Sequence, residues 1–309
     1  MNNRERYQQR MQSWPSLEGF GKTITIPNLE LNLFVYDSGD VDKKPLIMIH
    51  GLGDEADTWR HVFNPIARFF RVIAFDLPGF GRSDKPDRDY SPKLMMNSVL
   101  GLSDQLNLSE IILMGSSMGG ILAHSLALKY PQKFHGLILV GGALLQVESI
   151  GDKGLSLMKI PLLGEWLYTR LRKDPAAAYD SLRSVYFDLD KLPGQDRDFL
   201  FQRVNQRVWN NGQRRAYFSS LRNLYPWVKM SQSNLLDQLT QLTTPTLVIR
   251  GEHDPLMSHK NAEGLSKVQP NATLAVIEGA GHLPHQEKPS PFLEVVINWL
   301  SEVFALDLT

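Results

Sequence analysis

Gly115-Ser116-Ser117-Met118-Gly119 sets a serine hydroxyl between two glycines, after the apolar run 110–114 and before the helix-like run 120–128. A serine on a sharp strand-to-helix turn is held out from the sheet edge with a helix N-terminus beneath it. The glycines leave room where side chains would clash, and the turn strains the serine backbone. The chemistry open to such a hydroxyl is attack on a carbonyl carbon. Taken alone, the five residues also suit a glycine-rich turn that caps a helix. The reading depends on the other parts of such a site following in order.

Ile47-Met48-Ile49-His50-Gly51-Leu52-Gly53 runs a short apolar strand into His-Gly-x-Gly. Attack by serine puts negative charge on the carbonyl oxygen, and two backbone N–H groups are needed to hold it. The expected donors are Leu52, on the loop after the third strand, and Met118, the residue after the nucleophile. The imidazole of His50 is expected to pack structurally, because the loop is used for its backbone.

A serine also needs a base. Residues 273–285 read as a strand ending in Gly279-Ala280-Gly281-His282. His282 is the expected general base, taking the Ser117 proton and returning it to the leaving alcohol. Residues 245–254 form a proline-led apolar strand that ends in Glu252-His253-Asp254. Asp254 is expected to hold the other nitrogen of His282, with Glu252 as the nearby competitor. An aspartate before Pro255 also suits an ordinary turn. His253, His259 and His285 are expected bystanders, since most histidines are structural or exposed.

These residues need a scaffold that gathers strand ends. Strands read near 22–26, 31–37, 45–50, 71–76, 110–115, 134–140, 245–250 and 273–278, the first two as a hairpin across Pro27-Asn28. Helical patterns lie at 58–70, 92–106, 118–130, 259–267 and 291–304. Such alternation predicts a mostly parallel, doubly wound sheet. Ligands of such sheets bind beyond the carboxyl ends of the strands, where Leu52, Ser117, Asp254 and His282 all fall.

The chain order Ser117, Asp254, His282 resembles that of the α/β-hydrolase fold superfamily, in its cap-bearing serine hydrolase branch. Asp76-Leu77-Pro78-Gly79-Phe80-Gly81-Arg82-Ser83, after the fourth strand, strengthens the resemblance. In that family the stretch shapes a turn near the active-site floor. The resemblance implies an α/β fold with an eight-stranded, mostly parallel sheet and an inserted helical cap. It divides the chain into an N-terminal extension (1–20), a core (21–144 and 242–309) and a cap after the sixth strand (145–241). The extension is either a frayed tail or a helix docked on the body.

The resemblance further implies a carboxylesterase acting on short to medium acyl chains through an acyl-enzyme on Ser117, with no metal or organic cofactor. The alternatives are a C–C bond hydrolase of ring-fission (meta-cleavage) products and a monoacylglycerol-type lipase. The C–C enzymes often carry Asn before the nucleophile and Trp after the catalytic histidine, where this chain has Ser116 and Leu283. Ser117 speaks against epoxide hydrolases and haloalkane dehalogenases, whose nucleophile is aspartate. A fold-only binder would usually have lost one of the three candidate residues.

Residues 145–241 are rich in aromatics and arginines, among them Trp166, Tyr168, Tyr217, Arg203, Arg207, Arg214 and Arg222. The aromatics are expected to pack cap against core. The arginines are expected on a solvated face, or as the place where a substrate carboxylate would be held.

Composition bounds the rest. The 309 residues carry 33 basic and 33 acidic side chains, 42% hydrophobic and 21% charged content, and no cysteine. With zero net charge, nothing points to nucleic acid or to an anionic membrane surface. No apolar run reaches transmembrane length. The first seven residues lack the apolar core of a secretory signal. The expected partner is a small-molecule ester, a homodimer is allowed, and the absence of cysteine fits a cytoplasmic location.

Overall fold

The computed structural model describes residues 2–144 and 157–306. Its centre is a sheet of eight strands: β1 (Gly21–Ile26), β2 (Leu31–Asp37), β3 (Pro45–Ile49), β4 (Arg71–Phe75), β5 (Ile111–Ser116), β6 (Phe134–Val140), β7 (Thr246–Gly251) and β8 (Ala272–Ile277). They lie in the order β1-β2-β4-β3-β5-β6-β7-β8. The β1–β2 and β2–β4 pairings are antiparallel, and every pairing from β4 through β8 is parallel.

Near-continuous apolar runs make the inner strands, as a sheet covered on both faces requires. Period-two alternation splits their side chains between two cores. Ile47, Ile49, Leu113, Leu139 and Val248 face one side, with Met96, Val99, Leu122 and Leu126 from helices Pro92–Gln105 and Met118–Lys129. Leu46, Met48, Ile112, Met114 and Ile249 face the other, with Phe63 and with Phe292, Val296 and Trp299 of helix Pro289–Phe304.

One expected helix is broken. The pattern over 58–70 predicts one helix, but the structure has a 3-10 turn at Ala56–Trp59 and a short helix at Phe63–Ala67. Pro65 has no N–H to donate and is best tolerated in a helix's first turn, where it stands in Phe63–Ala67, so the helix starts just ahead of it instead of running on from upstream.

Between β6 and β7 the described chain is helical, with Leu163–Arg170, Pro175–Asp180, Gly194–Trp209, Asn211–Met230 and Leu235–Gln241. Residues 145–156 of the expected cap lie outside the described residues. The N-terminal extension is docked. A capping box between Asn2 and Glu5 starts a short helix at Asn3–Tyr7. Tyr7, Met11 and Trp14 are buried, and Trp14 meets Phe199 edge-on at 5.1 Å.

Candidate functional site

Ser117 stands between β5 and helix Met118–Lys129 with φ 54° and ψ −119°, a conformation L-residues rarely adopt. The surroundings over-determine it. Its N–H donates to the Val140 carbonyl at 2.8 Å, while Gly120 and Ile121 donate to its own carbonyl at 2.9 and 3.2 Å. Gly119 must be glycine, because a Cβ there would collide with the Ile49 carbonyl oxygen at the end of β3. The turn is thereby pressed against the start of the His50–Gly53 loop. A Cβ on Gly51 would lie 3.2 Å from Ser117 Cβ and 3.8 Å from its Oγ. Leu52 is half-buried on that loop. Met118 is the first residue of its helix, where N–H groups have no partner within the helix.

His282 and Asp254 come together across the ends of β7 and β8. His282 Nδ1 lies 2.9 Å from Asp254 Oδ1 and 3.0 Å from Oδ2. Oδ1 also accepts the N–H groups of Leu256 at 2.8 Å and Met257 at 3.0 Å, which fixes the carboxylate. A nitrogen between two carboxylate oxygens carries the proton, so in the neutral ring Nε2 bears the lone pair. That Nε2 is buried and has no hydrogen-bond partner among the described residues. Gly141 and Gly142 lie between this pair and the serine. Gly141 approaches the His282 ring, and Gly142 packs on the Ser117 backbone.

The other candidates are elsewhere. Glu252 is half exposed and accepts the Gly279 N–H at 3.0 Å, so it serves the β8 turn rather than His282. His50 is fully buried, accepts the Leu77 N–H on Nε2 at 2.9 Å, and is held below the ordinary imidazole pKa by burial. That is a structural role, as expected of it. His285 is buried 3.0 Å from Thr58 Oγ1 and 4.5 Å from the Trp59 ring, and burial pushes it down to about 3. His253 stacks on Phe187 at 3.8 Å, and His259 opens helix His259–Val268. Asp76 accepts the Ala56 and Arg82 N–H groups, both at 2.7 Å, and Arg82 Nε at 2.9 Å, knitting the turn below the site.

Two features had no sequence signal. Arg203 and Arg207 do not lie on a solvated face. Both side chains are largely buried, Arg203 pairs with Glu55 at 2.9 Å and Asp57 at 3.8 Å, and Arg207 pairs with Glu55 at 2.8 Å and with Asp54. Their helix is thus tied to the loop that follows Leu52. Asp54, Glu55 and Asp57 are some 150 positions away in sequence, which is why the pairing was invisible. The second feature is Glu287, whose Oε1 accepts the Gly281 N–H at 2.8 Å and whose Oε2 accepts the Phe187 N–H at 2.7 Å. Among the described residues no cluster of three or more His, Cys, Asp or Glu could hold a metal ion.

The model of the alpha/beta hydrolase fold family matches residues 44–289, about four-fifths of the chain. The chain belongs to the alpha/beta hydrolase fold family. As an α/β hydrolase it is 26% identical over 278 residues to the pimeloyl-[acyl-carrier protein] methyl ester esterase of Hamiltonella defensa, covering 89% of this chain and 99% of that one. It is 28% identical over 290 residues to the 2-hydroxy-6-oxononadienedioate/2-hydroxy-6-oxononatrienedioate hydrolase of Comamonas testosteroni, covering 91% and 96%. A thermophilic esterase from Thermogutta terrifontis superposes with a TM-score of 0.73 at 24% identity, over 92% of this chain and 98% of that one. The relatives of this α/β hydrolase therefore include both ester and C–C bond hydrolases. No helix among its described residues is long and apolar enough to cross a membrane.

Proposed function

We propose that this α/β hydrolase cleaves carboxylic esters of short to medium acyl chain through an acyl-enzyme on Ser117. The observation that carries the reading is the Asp254–His282 contact at 2.9 and 3.0 Å, which leaves Nε2 unpartnered in a fold that presents Ser117 on a strained turn. His282 takes the Ser117 proton as Oγ attacks the ester carbonyl, and Asp254 steadies the imidazolium. The N–H groups of Leu52 and Met118 hold the oxyanion, each worth on the order of a hundredfold to a thousandfold in rate. His282 then protonates the leaving alcohol, and water, deprotonated by the same imidazole, releases the acid. In this reading residues 145–241 are a cap over a core of 21–144 and 242–309, and they keep bulk water from the acyl-enzyme.

A second reading, hydrolysis of a C–C bond in a ring-fission product, is favoured by the similarity to the Comamonas testosteroni enzyme. The test is a p-nitrophenyl ester series from acetate to palmitate, with Ser117→Ala beside it. A Ser117-dependent maximum at short or medium chains supports the proposal, and a maximum at long chains moves it to a lipase. Negligible turnover by a folded protein that still reacts with a fluorophosphonate at Ser117 turns it to the C–C reading.

A further inference from the structure

Val185, Tyr186, Phe187 and Asp188 form a turn that leaves the inter-strand helical segment and lies against both loops of the acid–base pair. The His282 N–H donates to the Val185 carbonyl at 2.8 Å. Glu287 bridges the two sides, taking the Gly281 N–H on Oε1 at 2.8 Å and the N–H groups of Phe187 and Asp188 on Oε2 at 2.7 and 3.4 Å. The Phe187 ring, 49% exposed, stacks at 3.8 Å and 12° on His253, the residue before Asp254. One turn thus touches the loop of the acid through a ring and the loop of the base through backbone bonds.

Two costs mark Glu287 as more than filler. Among the described residues its carboxylate has only backbone N–H groups as partners, and burial pushes its pKa up. A long apolar side chain could cover the same area without that penalty, but it could not accept three N–H groups from two separate segments. Gly281 adds a constraint. A Cβ there would lie 2.6 Å from Phe187 N and 2.8 Å from the Val185 carbonyl oxygen, so no larger residue fits beneath the turn.

We propose that Glu287 is a positioning residue that clasps the 185–188 turn to the Gly281–His282 loop and so holds the His282 imidazole at the angle its work on Ser117 requires. The inference rests on the role proposed above for His282. Glu287 touches no reacting atom. It acts through the main chain on either side of the imidazole, and a displacement of about 1 Å there is worth on the order of a hundredfold in rate.

The experiment uses the full chain and needs no knowledge of the substrate. Wild type and Glu287→Gln are compared in two readouts. One is the rate of fluorophosphonate labelling at Ser117; the other is the far-downfield NMR signal of the Nδ1 proton that His282 shares with Asp254. The amide keeps the volume but turns a donor toward N–H donors. Labelling is expected to slow by about tenfold to a hundredfold, and the proton signal to broaden or move. Folding is verified by far-UV circular dichroism. If Glu287→Gln fails to fold, Glu287→Asp, which keeps the charge but cannot reach both segments at once, carries the same comparison. A folded variant that labels at the wild-type rate with an unchanged proton signal overturns the clasp. Absence of labelling in the wild type would instead sink the hydrolase reading, and the proton signal alone would then judge the clasp.

Discussion

Asp254 Oδ1 lies 2.9 Å from His282 Nδ1 while accepting the Leu256 and Met257 N–H groups at 2.8 and 3.0 Å. The carboxylate is therefore aimed by its own turn before the histidine arrives. Asp254→Asn keeps the shape but can present an amide donor to Nδ1, which favours the wrong tautomer. Turnover of the best p-nitrophenyl ester should fall by about 10³–10⁴-fold with little change in melting temperature. Retained turnover would remove Asp254 from the proposed mechanism.

Ser117→Ala and His282→Ala should each nearly abolish that turnover while the far-UV circular dichroism stays native. His285→Ala should do the reverse. It takes a buried ring from between Thr58 and Trp59, so stability should fall by about 1–3 kcal/mol in urea titrations while most turnover survives. Equal loss of activity in His285→Ala and His282→Ala would show that the base had been misassigned.

Buried neutral histidines set the acid limit. Burial lowers His285 to about 3 and His124 to about 4, from an ordinary value of 6.5. Between pH 6.5 and 4 the unfolded chain binds these protons and the native chain does not, so stability is lost as pH falls through that window. Each histidine contributes up to about 1.4 kcal/mol per pH unit to the slope. Glu287, raised by burial, acts in the opposite sense above its ordinary value of 4.5. His124→Gln should flatten the stability profile below pH 6.5; an unchanged slope would mean that His124 charges without unfolding.

Glu55 is shared by two buried arginines, Arg203 and Arg207. Glu55→Gln leaves both guanidiniums short of a counter-charge and should cost about 3–5 kcal/mol. A double variant that also replaces Arg203 by Met should recover part of that loss. Equilibrium unfolding of wild type, the two single variants Glu55→Gln and Arg203→Met, and the double variant measures the coupling.

Most of the sheet was legible because β3 to β7 are apolar runs broken by glycine and polar turns, and each was expected within a residue or so of where it lies. The 58–70 element was misread because its apolar periodicity masked the stop imposed by Pro65. Ser117, Asp254 and His282 could be chosen because each follows a strand end in a short, recognisable pattern. Arg203, Arg207 and Glu287 could not. Their partners are main-chain groups or acids remote in sequence, and a charged residue carries no local mark that says it will be buried. The docked extension was open for the same reason, since Trp14 N–H finds Asp57 at 2.8 Å only in three dimensions.

That docking has a consequence for the order in which the molecule is made. The Gln12 carbonyl accepts from Arg203, and the Gln9 carbonyl accepts from Gln206 at 3.4 Å, spans of 191 and 197 residues. On the ribosome residues 9–12 must wait until residues 203–206 have been synthesised before they can find their seat. Closing so large a loop comes late, because its entropy is spent before any contact repays it. Residues 9–12 act as a closing latch on the helix Gly194–Trp209.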